Sequence, residues 1–161
     1  MRVLNLFYAR LACVELVPQN ISLLRENLEQ NRVEAAVYAN ALSVSDGPVT
    51  MELSEKDYGH SIAKIEFGPS TPGKTIDVQG ISVSTLMSRL SWTKIDLMKI
   101  DIEGYEGVLL RENCDWLSAV GAICIGCHEK FGEEDLRRVA AAYGFMSPRR
   151  LGGIWLVNRI T

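Results

Sequence analysis

Residues 96–106 are the segment that most constrains the fold of this chain. They read DLMKIDIEGYE, an apolar run with one lysine that ends in carboxylates around a glycine. This pattern, with apolar sequence on both sides, is typical of a buried parallel strand that opens at its carboxyl end into a turn and a helix. Lys99 and Asp101 are two residues apart, so their side chains share one face of the strand and are expected to pair. Open α/β sheets bind ligands at this edge, so the segment predicts a polar site there.

Predicted strands and helices alternate along the chain without internal repeats, which favours one α/β domain at residues 1–161 with a mostly parallel sheet. Strands are predicted at residues 11–17, 35–43, 49–53, 75–83, 95–102, 119–127 and 154–157. Helices are predicted at residues 18–31, 84–90, 105–112 and 133–143, with Ser84 as the cap of the second. A Ser-Asp-Gly-Pro turn between the second and third strands suggests a hairpin-like extension. Residues 58–74 are rich in glycine and proline, which predicts a mobile loop over a site.

The charge of the chain argues against several partners. With 17 basic and 20 acidic side chains among 161 residues, the formal net charge is -3, and no basic field is available to hold a nucleic acid. No run approaches the roughly 18 apolar residues of a membrane helix, and the first residues lack the continuous apolar core of a signal peptide. We therefore expect a cytoplasmic protein with no nucleic-acid or membrane partner and with its 4 cysteines reduced.

Glu15 is a candidate ligand-binding residue because it lies at the tip of the first predicted strand, just before a helix. In nucleoside-binding folds, a carboxylate in this place accepts hydrogen bonds from the two ribose hydroxyls. The plainer interpretation is a solvated strand end.

Two later strands end in polar side chains. These residues are Lys99, Asp101, Glu103, His128 and Glu129. If adjacent parallel strands carry them, they converge at one sheet edge, which is the arrangement that a general base or a metal site needs. Glu103 and Glu106 also have a structural interpretation, because the helix macrodipole stabilises acids in a first turn by roughly 0.3–1 kcal/mol. His128 alone is more often a hydrogen-bonded residue at a strand end than a base.

Residues 124–128 read CIGCH, the spacing at which c-type haem is attached to a polypeptide. In an extended strand, residues three apart point to opposite faces and stand roughly 10 Å apart. Cys124 and Cys127 are therefore expected neither to bridge each other nor to hold a porphyrin together.

Three stretches of sequence resemble one known family. They are VELVPQN at residues 14–20 followed by Leu24, Asn27 and Asn31; NAL at residues 40–42 followed by Asp46 and Gly47; and residues 96–106. They resemble the FkbM-type methyltransferases, which use S-adenosylmethionine to methylate hydroxyl groups of small molecules and sugars. Leu16 stands where that family usually has proline.

The resemblance implies a fold, a cofactor and a set of binding residues. The implied fold is the Rossmann-like class I methyltransferase fold, with three layers and a mostly parallel sheet. The implied cofactor is S-adenosylmethionine, with its ribose on Glu15 and its adenine near the backbone of Asn40 and Ala41. Asp101 would face the methionine end of the cofactor or the incoming hydroxyl.

Methyl transfer is an in-line displacement, so the resemblance implies near-attack positioning and a base for the hydroxyl proton. Either Asp101 or His128 is expected to be this base, and Lys99 completes the predicted catalytic group. A divalent ion on Asp101, Glu103 and Glu129 is a variant that the spacing does not require, so no metal is predicted. The acceptor is expected to be a small-molecule or sugar hydroxyl, and its identity depends on loops rather than on the scaffold.

The chain departs from the family at its amino end. The family's first strand and glycine-rich turn are expected about 20 residues before the ribose acid, and Glu15 is too near Met1 to leave room for them. We therefore expect an N-terminally truncated domain whose unpaired strand edges favour self-association. The alternative is a catalytically inactive binding or assembly module that keeps the scaffold without the donor pocket.

Overall fold

The computed structural model describes residues 9–52, 61–62, 75–102, 104–128 and 131–159. The strands are β1 (Ala12–Glu15), β2 (Ala36–Ala39), β3 (Ala41–Ser43), β4 (Gly47–Glu52), β5 (Ser61–Ile62), β6 (Thr75–Ser82), β7 (Ile95–Ile100), β8 (Val120–Ile125), β9 (Arg149–Leu151) and β10 (Ile154–Asn158). The α-helices are α1 (Pro18–Gln30), α2 (Val83–Arg89), α3 (Glu106–Leu109) and α4 (Glu133–Ala142), and a 3₁₀ helix spans Asp115–Ala119. None of the helices in these ranges has the length and apolar character needed to cross a bilayer. Apart from β5, the loop predicted at residues 58–74 lies outside the described residues.

β1, α1 and β2 form a parallel β-α-β unit. α1 begins at Pro18, whose fixed φ suits a first helical turn and whose missing N–H is not needed there. Ile21 is buried, and Leu24 and Leu28 are half-buried, so these residues form the apolar stripe of the helix predicted at residues 18–31. Because β1 and β2 pair in parallel, Glu15 ends β1 at the edge where β2 also ends.

The strand predicted at residues 35–43 is two strands, because the chain bends at Asn40. β2 pairs with β1, whereas β3 belongs to a second sheet with the order β3-β6-β4-β5. The hairpin expected from β3 and β4 is therefore wrong, since β6 lies between them, parallel to β3 and antiparallel to β4. The Asn40 side-chain amide donates a hydrogen bond to the Gln79 carbonyl of β6 (3.0 Å), which ties the bend to this sheet.

α2 follows β6 directly, and its cap is Ser82 rather than the predicted Ser84. The Ser82 hydroxyl accepts a hydrogen bond from the backbone N–H of Thr85 (3.1 Å). Asp46, in the turn before β4, supports the same helix start. Its carboxylate accepts hydrogen bonds from the Ser82 N–H (2.9 Å) and the Thr85 hydroxyl (2.6 Å).

The third sheet has the order β7-β8-β10-β9 and one face packed into the main hydrophobic core. The register places Ile100, Ile123, Ile125 and Val157 on that face. All four are almost fully buried, in one cluster with Leu136 of α4. The 3₁₀ helix before β8 and the strand β9 were not expected from the sequence.

β7 is not buried on both faces, which corrects the expectation for this strand. Leu97 is 61% exposed and the Lys99 side chain is 65% exposed. Both side chains lie on the face opposite Ile100. The ion pair of Lys99 therefore forms near solvent rather than inside a closed core.

The sheets are mixed, so a mostly parallel sheet is not confirmed. Parallel pairing joins β1 to β2, β3 to β6 and β7 to β8, whereas β4, β5, β9 and β10 pair antiparallel to their neighbours. β9 and β10 pair antiparallel because a tight turn joins them. In this turn Gly152 takes a φ of 64°, a backbone conformation that favours glycine. Such a turn returns the chain directly, without the crossover that a parallel neighbour requires. The described chain is a mixed α/β structure.

Candidate active site

The carboxyl ends of β7 and β8 bring three of the predicted residues together. Gly126, just past β8, donates its N–H to the Ile100 carbonyl (3.0 Å), so the parallel pairing extends to the end of β7. Asp101 follows β7, and His128 lies shortly beyond β8. The Lys99 ammonium contacts the Asp101 carboxylate (Nζ to Oδ2, 2.8 Å), which confirms the predicted pairing on one strand face.

Among the described residues, His128 lies between the carboxylates of Glu106 and Asp101. Its Nδ1 atom is 2.8 Å from Oε1 of Glu106, a hydrogen-bonding distance. Its Nε2 atom is 3.9 Å from Oδ1 of Asp101. The His128 side chain is 34% exposed, whereas the Glu106 side chain is 0% exposed. The imidazole thus connects a buried carboxylate to one at the surface.

Glu106 is a site residue that was not predicted from the sequence. Its Oε2 accepts a hydrogen bond from the Gly104 N–H (2.9 Å), and its Oε1 accepts one from the Ile102 N–H (3.3 Å) in addition to its contact with His128. Gly104 has a φ of 95°, a backbone conformation that favours glycine. These donors compensate the cost of burying a carboxylate.

A sequence signal for the burial of Glu106 did exist. Glu106, Leu109 and Leu110 have the i, i+3, i+4 spacing of one helix face, and all three are buried. The macrodipole of α3 does not explain the burial of Glu106, because this helix has only four residues. A carboxylate in an apolar helical stripe indicates a buried partner, which here is His128.

Cys127 adjoins this cluster but remains a neutral thiol. Burial raises its pKa to about 11, with further contributions from the negative charges of Glu106 and Asp135. A neutral thiol is a poor nucleophile and a poor metal ligand. Cys127 and Cys124 are both free, and so are the other two cysteines of the chain.

A second cluster lies where β1 and β2 end. The Glu15 Oε1 atom accepts hydrogen bonds from the backbone N–H groups of Leu16 (2.9 Å) and Val17 (2.8 Å). Asn40 and Ala41 follow β2 at the same edge, and Ala41 is 1% exposed. The Asn40 side chain is bonded to β6, so a ligand at this edge would meet mainly its backbone.

One family model matches this chain. Its description is the methyltransferase FkbM domain, and it covers residues 3–140, a range that contains both clusters. The chain belongs to the FkbM methyltransferase family. No curated protein and no solved structure matches it. The resemblance carried by residues 14–20, 40–42 and 96–106 is thereby confirmed at the level of the family.

The sequence allowed a divalent metal ion on Asp101, Glu103 and Glu129 as a variant. Glu103 and Glu129 lie outside the described residues. Within the described ranges, no group of three or more histidine, cysteine, aspartate or glutamate side chains is arranged to hold a metal ion.

The described side chains support acid–base chemistry at the ends of β7 and β8. The His128 imidazole can accept and donate a proton, and it is accessible to solvent on one side only, because its other side contacts buried Glu106. The Lys99 ammonium holds one oxygen of Asp101, and the other oxygen faces His128. A group that loses a proton near Nε2 would therefore transfer it to an imidazole whose positive charge is stabilised by carboxylates already in place.

Proposed function

We propose that this FkbM methyltransferase transfers a methyl group from S-adenosylmethionine to a hydroxyl group of a small molecule or sugar, on a Rossmann-like scaffold. The observation that carries the proposal is the His128 imidazole held by buried Glu106 at the end of two parallel strands in a methyltransferase family member. A hydroxyl must lose its proton when it is methylated, and an imidazole in such a place is a suitable base. Amines and thiols are the alternative methyl acceptors, and the acceptor panel described below distinguishes them from hydroxyl groups.

The residues at the end of β1 fit the ribose of the cofactor by their chemistry. Two backbone N–H groups hold Oε1 of Glu15, and no described residue donates a hydrogen bond to Oε2. An oriented carboxylate with acceptor capacity matches a vicinal diol. The backbone at Asn40 and Ala41 would adjoin the adenine, because both residues follow the neighbouring strand at the same edge.

When bound, S-adenosylmethionine supplies an electrophilic methyl group, and the chain supplies orientation and proton removal. Glu15 would fix the nucleoside, which limits the positions that the methyl group occupies. His128 would take the hydroxyl proton on Nε2. Lys99 restrains Asp101 through the 2.8 Å contact, so that Oδ1 of Asp101 faces the same nitrogen and stabilises the charge that it acquires.

Ligand-induced thermal stabilisation tests the cofactor site. At a concentration of 100 Kd, S-adenosylhomocysteine should stabilise the folded chain by about 2.7 kcal/mol, a Tm increase of roughly 5–10 °C for a domain of this size. Glu15→Ala should abolish most of this increase because the diol loses its acceptor. Glu26→Ala, at an exposed position of α1, is the matched control and should keep it.

Methyl transfer to a panel of hydroxyl, amine and thiol acceptors then tests the reaction. Radiolabelled methyl should appear on hydroxyl compounds and should depend on His128. A cooperative melt without any shift from the cofactor product would contradict the enzyme proposal and favour a non-catalytic binding or assembly module. Transfer to amines alone would contradict the hydroxyl assignment.

A further inference from the structure

We propose that buried Glu106 is a positioning residue, which holds the neutral His128 ring with its hydrogen on Nδ1 and its lone pair on Nε2. The inference rests on the proposed function for its kinetic consequence, but the position of the proton is a property of the chain alone. The proposal gives a role to the buried Glu106 carboxylate, which takes no direct part in methyl transfer.

The hydrogen on Nδ1 follows from the contact with Glu106. An ionised carboxylate only accepts hydrogen bonds, so the 2.8 Å contact requires Nδ1 to donate. A neutral imidazole carries one N–H, so Nε2 is then the nitrogen with the lone pair. The same logic applies wherever a carboxylate orients a histidine that serves as a base or a ligand.

Glu106 is itself fixed, so it can fix the ring. The Gly104 N–H (2.9 Å) holds Oε2, the Ile102 N–H (3.3 Å) contacts Oε1, and no part of the side chain is exposed. Rotation of the carboxylate would leave these two backbone donors without their acceptor, which is unfavourable where water does not replace it. The orientation of His128 is therefore set by the turn that precedes α3.

The proposed proton transfer accounts for every bond, electron pair and charge. The acceptor O–H bond breaks and its proton forms an N–H bond at Nε2 of His128. The electron pair on the oxygen forms the new C–O bond, while the electron pair of the breaking C–S bond stays on the departing thioether. The positive charge that the sulfonium loses is gained by the imidazolium, which lies between the carboxylates of Glu106 (2.8 Å) and Asp101 (3.9 Å).

Glu106→Gln should reverse the tautomer with little change of shape. The glutamine amide has one acceptor oxygen and one donor nitrogen, and the oxygen is needed at the closer backbone donor, Gly104. The NH₂ group then faces Nδ1 of His128, so Nδ1 becomes the acceptor and the ring hydrogen moves to Nε2. The lone pair is no longer directed at the acceptor hydroxyl.

The first measurement is the tautomer, read from the ring nitrogen shifts and two-bond couplings of ¹⁵N-histidine-labelled protein at a pH where His128 is neutral. The chain has 2 histidines, and a His60→Gln variant identifies the signals of His128. We expect Nδ1–H in the wild type and Nε2–H in Glu106→Gln. Glu112→Gln, an exposed acid close to α3, is the matched control and should match the wild type.

The second measurement is the split between turnover and binding. Glu106→Gln should lower kcat by about 10²- to 10⁴-fold, the usual contribution of general base catalysis. The thermal shift with S-adenosylhomocysteine should be unchanged, because the hydrogen-bond partners of Glu106 among the described residues are Ile102, Gly104 and His128, none of which belongs to β1. A role in folding alone would lower the Tm without changing the tautomer.

Each outcome is decisive. An Nε2–H signal in the wild type overturns the inference, and this measurement needs neither a folded Glu106→Gln protein nor an active enzyme. Unchanged kcat in a Glu106→Gln protein with a switched tautomer also overturns it. If the wild type shows Nδ1–H but neither binds the cofactor product nor methylates any acceptor, the proposed function fails while the assigned proton position stands.

Discussion

Gly126 separates the two side chains that face the proposed acceptor. A Cβ atom at this buried position would lie 2.9 Å from Oδ1 of Asp101 and 2.9 Å from Cε1 of His128. We expect Gly126→Ala to displace one or both side chains and to lower kcat strongly. The expected loss of stability is about 1–3 kcal/mol, as is typical when one methyl group is added to a packed position. Steady-state kinetics and thermal melts measure the two effects separately.

Gly153→Ala is the matched control for this substitution. It adds the same methyl group in the turn between β9 and β10, where no atom lies within 4 Å of the added carbon. Its kcat and Tm should equal those of the wild type. A Gly126→Ala enzyme with wild-type kcat would show that the spacing of Asp101 and His128 has no role in turnover.

The sequence predicted part of this site. The pairing of Lys99 with Asp101 was predictable because alternate residues of a strand share a face. The contact of Asp101 with His128 required β7 and β8 to be parallel neighbours, which was a condition of the prediction and is met by their register. The burial of Glu106 was not predicted, because its apolar spacing with Leu109 and Leu110 extends over little more than one turn of a helix that has only four residues.

At the scale of elements, Asp46 links the turn before β4 to the start of α2. Its pKa is lowered by hydrogen bonds from the Thr85 hydroxyl and, next, from the Ser82 backbone N–H. A carboxyl whose folded-state pKa is lowered contributes stability above its unfolded pKa of 3.8, and loses it as the pH falls through the lower folded value. Asp46→Asn should therefore lower the Tm at pH 7, and its deficit should shrink in acid.

Thermal melts from about pH 2.5 to pH 7 measure this difference directly. Glu26→Gln, an exposed acid on α1, is the control and should follow the wild-type curve throughout. A deficit of Asp46→Asn that stays constant across the range would show that the carboxylate form is not what stabilises α2.

Helices and strands with a continuous apolar pattern were predicted better than the order in which the strands pair. α1 and α4 followed from their apolar stripes, and β7 and β8 from their apolar runs. The break at Asn40 was not visible, because no proline or glycine marks it and the break depends on a hydrogen bond to distant Gln79. The strand β9 reads RRL and is exposed along its length, so it exists through its pairing with β10 rather than through burial.

At the scale of the molecule, the outer strands of each described sheet present backbone edges, and β1 and β7 are among them. Among the described residues, β1 pairs with β2 alone and β7 with β8 alone. β7 also exposes Leu97, which is unusual for a large apolar side chain on a parallel strand. Unpaired edges with apolar side chains favour pairing with another chain. We therefore expect this chain to self-associate through β7.

Sedimentation velocity over a range of protein concentrations tests this expectation. The wild type should show a weight-average sedimentation coefficient that rises with concentration. Leu97→Lys should reduce the rise, because a lysine at a strand edge disfavours pairing between chains. Leu23→Lys is the matched control, since Leu23 is 58% exposed on α1, close to the 61% of Leu97, but lies on no strand. Equal effects of the two substitutions would assign the association to general surface hydrophobicity, whereas an effect of Leu97→Lys alone would assign it to the edge of β7.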